Sequence, residues 1–465
     1  MIPRVSTAVF LFHRDLRLVD NTALNAAFSQ AKTVLPVMIF DPRQCEKHDF
    51  FSSNALQFFL ESLEEVVSEI EQQGGTLFCF HGDPEKILTD LFSTQNIDAI
   101  FFNEDVTPFA RARDRKIETL AAKKNVASHR FSDTLLHHPE SIRTKEGKPF
   151  QVFTPYFHAA EKEPIRPLET KTGKWWSGPL AGAQPFSALS KKLLSTQNPD
   201  LFVRGGRKKA LEIFGKISNF SRYEAERDFP AADATTHLSA HLKFGTVSPR
   251  EVYHRIVSEF SPHHPLLRQL FWRDFFSQVA FHFPQVFGQA FREPFRSLKW
   301  DNDPDKFEAW KKGQTGFPLV DAGMRQLVRT GWMHNRVRMV AASFLVKNLG
   351  VDWRWGEQFF AQHLVDYDPA VNNGNWQWVA STGCDAQPYF RIFNPWRQQE
   401  KFDPEAEFIK TWLPELRSLS AKEIHHWSRE AETLSSKLKY PRPIVDPQDS
   451  AGRAKQRFLR ARQSA

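Results

Sequence analysis

The sequence has few cysteines: Cys45, Cys79 and Cys384 are the three. They are far apart, odd in number and form no C-x-x-C. That argues against a disulfide framework or a thiolate metal site, and it suits a reducing compartment. His334 has no H-x-x-x-H partner, so no metal is expected. No G-x-G-x-x-G or G-x-x-x-x-G-K-[ST] follows any strand-like run, which argues against an ordinary dinucleotide or P-loop site. No apolar run approaches the roughly 20 residues that span a bilayer. The short stretch Ala8 to Phe12 runs straight into HRDLRLVDN with no cleavage-site pattern. It is expected to be a first strand rather than a signal peptide, in a protein of the cytoplasm or nucleoid. Internal repeats and low-complexity tracts are also missing.

What is present is size, aromatics and positive charge. A chain of 465 residues is too long for one ordinary core, so two domains are expected. Hydrophobic content of 41% with 25% charged residues is the balance of a soluble globular protein. There are 43 Phe and 13 Trp; many must be buried, but so many Trp also leave room for stacking or redox roles. A formal net charge of +8 favours a polyanionic partner such as nucleic acid.

Organisation changes along the chain. Apolar runs at Thr7 to Phe12, Thr33 to Phe40, Thr76 to Phe80 and Ala99 to Phe102 alternate with helical patterns at Asn54 to Gln73, Pro84 to Phe92 and Pro108 to Lys123. This alternation predicts an α/β domain with a parallel sheet, with its ligand crevice at the carboxyl ends of the strands. From Ser132 to Pro199 the chain is rich in Pro, Gly, Lys and Ser and reads as a surface connector. From about Leu201 the pattern is helical throughout and predicts an all-α domain. The division is residues 1–131, 132–199 and 200–465.

Four segments concentrate chemistry. DYDPAVNNGNWQW, from Asp366, packs two carboxylates, four amides and two Trp into thirteen residues. Asp366, Asp368, Asn372 and Gln377 offer donors and acceptors to a flat heteroaromatic ligand; a polar surface loop is the blander alternative, which Trp376 and Trp378 argue against. GWMHNRVRMVAASFLVKNLGVDWRWGEQFF, Gly331 to Phe360, carries Arg336 and Arg338 opposite an apolar side, as a nucleic-acid contact or as an ordinary amphipathic helix. In the Ser221 to Tyr253 segment, Thr235, Thr236 and Ser239 precede a helix start, where they suit phosphate oxygens or simple N-capping. In LLRQLFWRDFF, Leu266 to Phe276, Trp272 and Arg273 sit in an apolar helix, where a Trp is usually core.

In this order, and with the amino-terminal FHRDLRLVDNTAL and the long string NNGNWQWVASTGCDAQPYFRIFNP, these segments resemble the cryptochrome/photolyase family from end to end. Its motifs are closest to those of class I cyclobutane-dimer photolyases. The resemblance implies an α/β Rossmann-like antenna domain, a linker and an all-α domain holding folded FAD, active when reduced. Carried over residue by residue, it implies that Tyr223, Thr235, Thr236, Leu238 and Ser239 hold the FAD phosphates and ribityl chain. His237, where relatives often have arginine, would add a backbone contact. Arg273 and Asn335 would line the same pocket, and Asp366 and Asp368 would address the isoalloxazine and adenine region. Asn372 matches the asparagine beside flavin N5, where an amide can accept from a protonated nitrogen or donate to a bare one. Trp376, Trp353 and Trp300 match an electron relay running outward from the flavin.

The implied reaction is light-driven electron transfer to a pyrimidine dimer flipped out of UV-damaged DNA. At the positions where enzymes for the (6-4) photoproduct carry histidines, this sequence has Asn335 and Met339, which selects the cyclobutane dimer. Gln269 stands where many such enzymes have glutamate and points the other way. Trp272 would pack on the flipped dimer, with Arg336 and Arg391 near the DNA. The alternatives are a (6-4) photolyase or a blue-light receptor, and the short basic tail GRAKQRFLRARQSA is not a signalling domain. NEDVTPFARARD, Asn103 to Asp114, resembles the segment of members with a deazaflavin or flavin antenna. That ranks 8-hydroxy-5-deazaflavin first, FMN second and methenyltetrahydrofolate third. A monomer without membrane or obligate protein partners is expected.

Overall fold

The computed structural model describes residues 5–463; the last two residues of the basic tail lie outside them. Two compact units emerge. The first takes in Met1–Asn198, Val203–Ser218 and His237–Pro284, and the second Pro199–Phe202, Asn219–Thr236 and Gln285–Ala465.

In the first unit, the apolar runs become β1 (Val5–Phe12), β2 (Ala31–Phe40), β3 (Phe78–His81) and β4 (Ala99–Asn103). The structure adds β5 (Ala127–Phe131), a mostly exposed edge strand whose alternating polar residues hid it from a search for apolar runs. All pairings are parallel, in the order β3-β2-β1-β4-β5. The order reverses between β1 and β4, so the crevice of this doubly wound sheet opens where Phe12 and Asn103 end their strands.

The expected connector is more than a drape. Lys174–Trp175 forms β6, a short strand paired with β2. Trp175 is buried and meets Phe28 edge-on at 4.7 Å. Gly173 and Gly75 make this possible, because a Cβ on either would overlap the Phe28 or Trp175 ring. The same stretch also forms helices Phe153–Ala160 and Phe186–Leu193.

Helices Pro249–Glu259 and Pro265–His282 complete the first unit. Arg250 donates to Asp20 Oδ2 at 2.9 Å and to Asp133 Oδ1 at 2.7 Å, and Arg17 pairs with Asp133 from the other side. All four side chains are buried. Burial pushes the Asp133 carboxyl up, but the guanidiniums of Arg17 and Arg250 and the Thr22 hydroxyl outweigh it and hold the group below the usual carboxylate range.

The second unit has no strand among its described residues. Its core runs from Trp310 through Phe344, Trp353, Phe360 and Trp376 to Trp427 and Tyr440. After helix Asn335–Ser343 the backbone widens into a π-turn, Phe344–Asn348, the kind of irregularity that often marks a functional region. Helices Trp353–His363 and Pro369–Ala380 follow, and Pro447–Gln463 closes the chain.

Candidate functional site

The Pro369–Ala380 helix starts where Asp368 caps it, accepting from Ala370 N at 3.1 Å and Val371 N at 3.3 Å, with Pro369 preset for the first turn. Asp366 takes a two-pronged contact from Arg338, at 3.2 and 3.0 Å, while Arg338 Nε donates to Met333 O. Both carboxylates are therefore buried with defined partners.

Further along the helix, the amides separate into two jobs. Asn373 and Gln377 are fully buried and committed to the fold. Asn373 Nδ2 donates to Val286 O and to Glu357 Oε1, both at 3.0 Å. Gln377 Nε2 donates to Val286 O, Gln289 O and Asn373 Oδ1, and its Oε1 accepts from Phe291 N. Gln377, expected to serve a ligand, instead pins the 286–291 segment. Asn372 stays half-buried; its Nδ2 donates to the Glu357 carbonyl at 3.3 Å, which fixes the amide plane and leaves Oδ1 as an acceptor.

Sequence reading missed Glu357. Burial pushes its carboxyl up to about 8, against the Asn373 hydrogen bond and the Arg354 charge. The signal was there: an acid at i+4 from Trp353 and three before Phe360, on the apolar stripe of its helix.

Three indoles form a series within this unit. Trp376 and Trp353 are buried in one core cluster, and Trp300 packs against that cluster while partly exposed. Trp376 meets Phe360 edge-on at 4.9 Å and Trp310 at 6.3 Å. Gly356, on the Trp353 helix, lets Trp376 come close, since a Cβ there would overlap the indole. At the outer end, Arg457, paired with Asp301, lies 5.8 Å over the Trp300 ring. Trp378, two residues past Trp376, is half-buried.

Lys347, on the π-turn, was also missed as a site residue. Its buried Nζ donates to Ser381 Oγ at 2.9 Å and to Ala380 O at 3.3 Å, and sits 3.8 Å over the Phe458 ring. Burial pushes the ammonium down to about 7, and Arg457 adds in the same direction. Lys347 thus fastens the end of the Asn372 helix to the closing helix. The loop that follows exposes Phe390 and Arg391.

Asn335 is exposed on the first turn of its helix, with Nδ2 3.7 Å from Met339 Sδ one turn on. Arg336, beside it, is not a bare cation: it pairs with Asp228 at 2.7 Å and lies 4.3 Å over the Phe402 ring. Tyr223 is buried under the Arg227 guanidinium. The Thr235 hydroxyl oxygen is buried with no hydrogen-bond partner, as expected of a group waiting for a ligand.

Thr236 ends that stretch of the second unit, and the remaining predicted residues belong to the first. His237 takes a left-handed backbone (φ 54°) just before the short helix that starts at Ser239, and Leu238 is buried there. On Pro265–His282, Gln269, Trp272 and Arg273 fall at i, i+3 and i+4 and share a face. Arg273 is anchored to the carbonyls of Thr134 and Leu242. Behind it, Asp274 accepts from His137 N at 3.0 Å, and burial pushes its carboxyl up to about 7. In the sheet crevice, His13 contacts the Asn103 carbonyl and the Arg113 guanidinium, each at 3.0 Å. Burial, then Arg113, holds the imidazole well below its ordinary value and neutral; its Nε2 is buried and unpartnered.

A family model described as DNA photolyase matches residues 8–172, and one described as FAD binding domain of DNA photolyase matches residues 266–460. A protein of Alkalihalophilus pseudofirmus named deoxyribodipyrimidine photo-lyase is 38% identical over 459 residues, 94% of each chain. An archaeal photolyase of Sulfolobus tokodaii, solved with two FAD molecules, superposes with a TM-score of 0.89 at 40% identity, covering 98% of this chain and 100% of the other. A bacterial class III photolyase of Agrobacterium tumefaciens superposes with a TM-score of 0.91 at 35% identity, covering 99% and 98%.

Proposed function

The chain belongs to the DNA photolyase family, and on that premise we propose that it repairs cyclobutane pyrimidine dimers in UV-damaged DNA under blue light, as a deoxyribodipyrimidine photo-lyase. FAD, when bound in its reduced form, would supply the light-driven one-electron chemistry of that repair.

The chain's own residues bind, orient and feed that chemistry. Tyr223, Thr235, Thr236, His237, Leu238, Ser239, Arg273, Asn335, Asp366 and Asp368 hold the cofactor. The orphaned Thr235 hydroxyl and the prearranged Arg338–Asp366 pair support this reading. Asn372 presents its amide oxygen at the flavin edge, with its plane set by the Glu357 carbonyl. Trp376, Trp353 and Trp300 pass electrons inward from the surface in short hops. The observation that carries the reading is this graded series: Trp376 and Trp353 are buried on the helices that also bear Asn372 and Glu357, and Trp300, outside those helices, is partly exposed.

Gln269, Trp272 and Met339 meet the flipped dimer. Asn335 and Met339 leave that helix face without the acid a (6-4) mechanism uses. Arg391 is exposed for phosphate contact, whereas the charge of Arg336 is shared with Asp228. The functional division runs 1–131 antenna, 132–199 linker and 200–465 catalysis. The crevice beside His13, Asn103 and Arg113 takes the antenna, for which 8-hydroxy-5-deazaflavin ranks ahead of FMN and folate. The protein acts as a monomer in the cytoplasm or on the nucleoid; no helix among the described residues is long and apolar enough to cross a membrane.

Illumination of two defined oligonucleotides, one per lesion, tests the proposal. Repair of the cyclobutane dimer is expected, and repair of only the (6-4) lesion would overturn it. Dimer affinity should also fall steeply with salt.

A further inference from the structure

The connector between residues 132 and 199 sends its Phe153–Ala160 helix against Pro265–His282, which carries Gln269, Trp272 and Arg273. Phe153 opens the connector helix and is sealed from solvent. Its ring lies 3.6 Å from that of Trp272, centroid to centroid, with the planes 7° apart. The two faces are in full contact. Phe275 stands edge-on to both rings, 5.8 Å from each, and Phe276 tilts against the indole at 5.4 Å. Arg268 reaches over the Phe153 and Phe157 rings, at 5.7 and 5.2 Å. Trp272 itself remains half-buried, so the indole is clamped without being sealed.

An indole on a helix surface ordinarily samples several rotamers, and a ligand that needs one of them must order it. Here one face of Trp272 is already spent on Phe153 and the plane is fixed. We propose that Phe153 is a positioning residue for lesion recognition: it is the back wall that presets Trp272 for the flat face of a flipped pyrimidine dimer. This rests on the reading that Trp272 meets the lesion. It extends the recognition machinery into the connector and gives the reason for a helix there. Undamaged DNA is held through its phosphates, and that binding does not consult the indole plane. The expected signature is therefore a loss of discrimination.

The test measures dark affinity of the full-length, FAD-containing protein for a dimer-bearing oligonucleotide and for its undamaged twin. Phe153→Leu keeps apolar volume and removes the flat face. It should weaken dimer binding about threefold to tenfold, the range of one aromatic stack. Undamaged-DNA affinity and flavin absorbance should hold. Phe153→Leu combined with Trp272→Ala should be no weaker than Trp272→Ala alone. Where Phe153→Leu does not fold, Phe153→Met gives the same reading. An unchanged dimer affinity in Phe153→Leu, with Trp272→Ala impaired, would overturn the proposal. So would equal weakening toward both DNAs, which marks a merely structural ring. If Trp272→Ala leaves dimer affinity intact, the lesion role of Trp272 falls, and this inference with it.

Discussion

Asn373 donates a hydrogen bond to Glu357, Nδ2 to Oε1 at 3.0 Å, where both side chains are buried. The folded protein keeps the Glu357 proton to about pH 8, whereas the unfolded chain releases it near 4.5. A folded pKa above the unfolded one costs stability as pH rises through that window. Glu357→Gln has no such proton to lose. It should gain on the parent protein between about pH 5 and pH 8, by up to ~1.4 kcal/mol per unit of pKa shift. Thermal melts at three pH values check this, and a constant offset would count against it.

Gly356 allows the Trp376 indole to lie against the Trp353 helix. Gly356→Ala should improve helix propensity by about 1 kcal/mol yet displace the ring, for a net loss of stability. Photoreduction of oxidised flavin should slow, as in Trp376→Phe, while repair by pre-reduced protein is spared in both. Equal loss of the two activities would argue that Trp376 is structural. Transient absorption separates these outcomes.

Burial holds the Lys347 ammonium near pH 7, against 10.5 for an ordinary lysine. Between those values the unfolded chain binds the extra proton, so stability should rise with pH. Lys347→Met should abolish that slope, which amounts to about 2 to 3 kcal/mol over two units. Urea titrations at about pH 7 and pH 9 supply the comparison.

Arg250→Met should be severe. It removes the buried guanidinium that Asp20 and Asp133 share, leaving Asp133 paired with Arg17 and Asp20 with the Ser248 hydroxyl. Breaking one side of a buried ionic network costs about 3–5 kcal/mol. Guanidinium denaturation measures it, and the double variant with Asp20→Asn should recover part of the loss.

Much of the fold was legible because its signals are local. Apolar runs marked β1 to β4, and helical patterns beginning at Pro84 and Pro108 marked two of the helices between them. β5 and β6 were not, because their pairing partners lie elsewhere in the chain; an exposed edge strand and a two-residue strand have no pattern of their own. The site divides the same way. Asp366, Asn372 and the tryptophans stand in a dense, distinctive string. Glu357, Lys347 and Phe153 gain their roles only from what they touch, at separations of 16 residues from Glu357 to Asn373 and 34 from Lys347 to Ser381. Gln377 shows the converse, a polar residue in the right string whose every polar atom the fold consumes.

The ionic network around Asp133 also sets a timetable. Arg250 follows Asp133 by 117 residues and Asp20 by 230. A ribosome adding about 5–20 residues per second leaves the sheet waiting roughly 6 to 23 s for its last counter-charge. During that interval the nascent first half holds two acidic groups that cannot be buried with their full complement of partners. That buried ionic cluster can therefore close only after Arg250, in the helical region, has emerged.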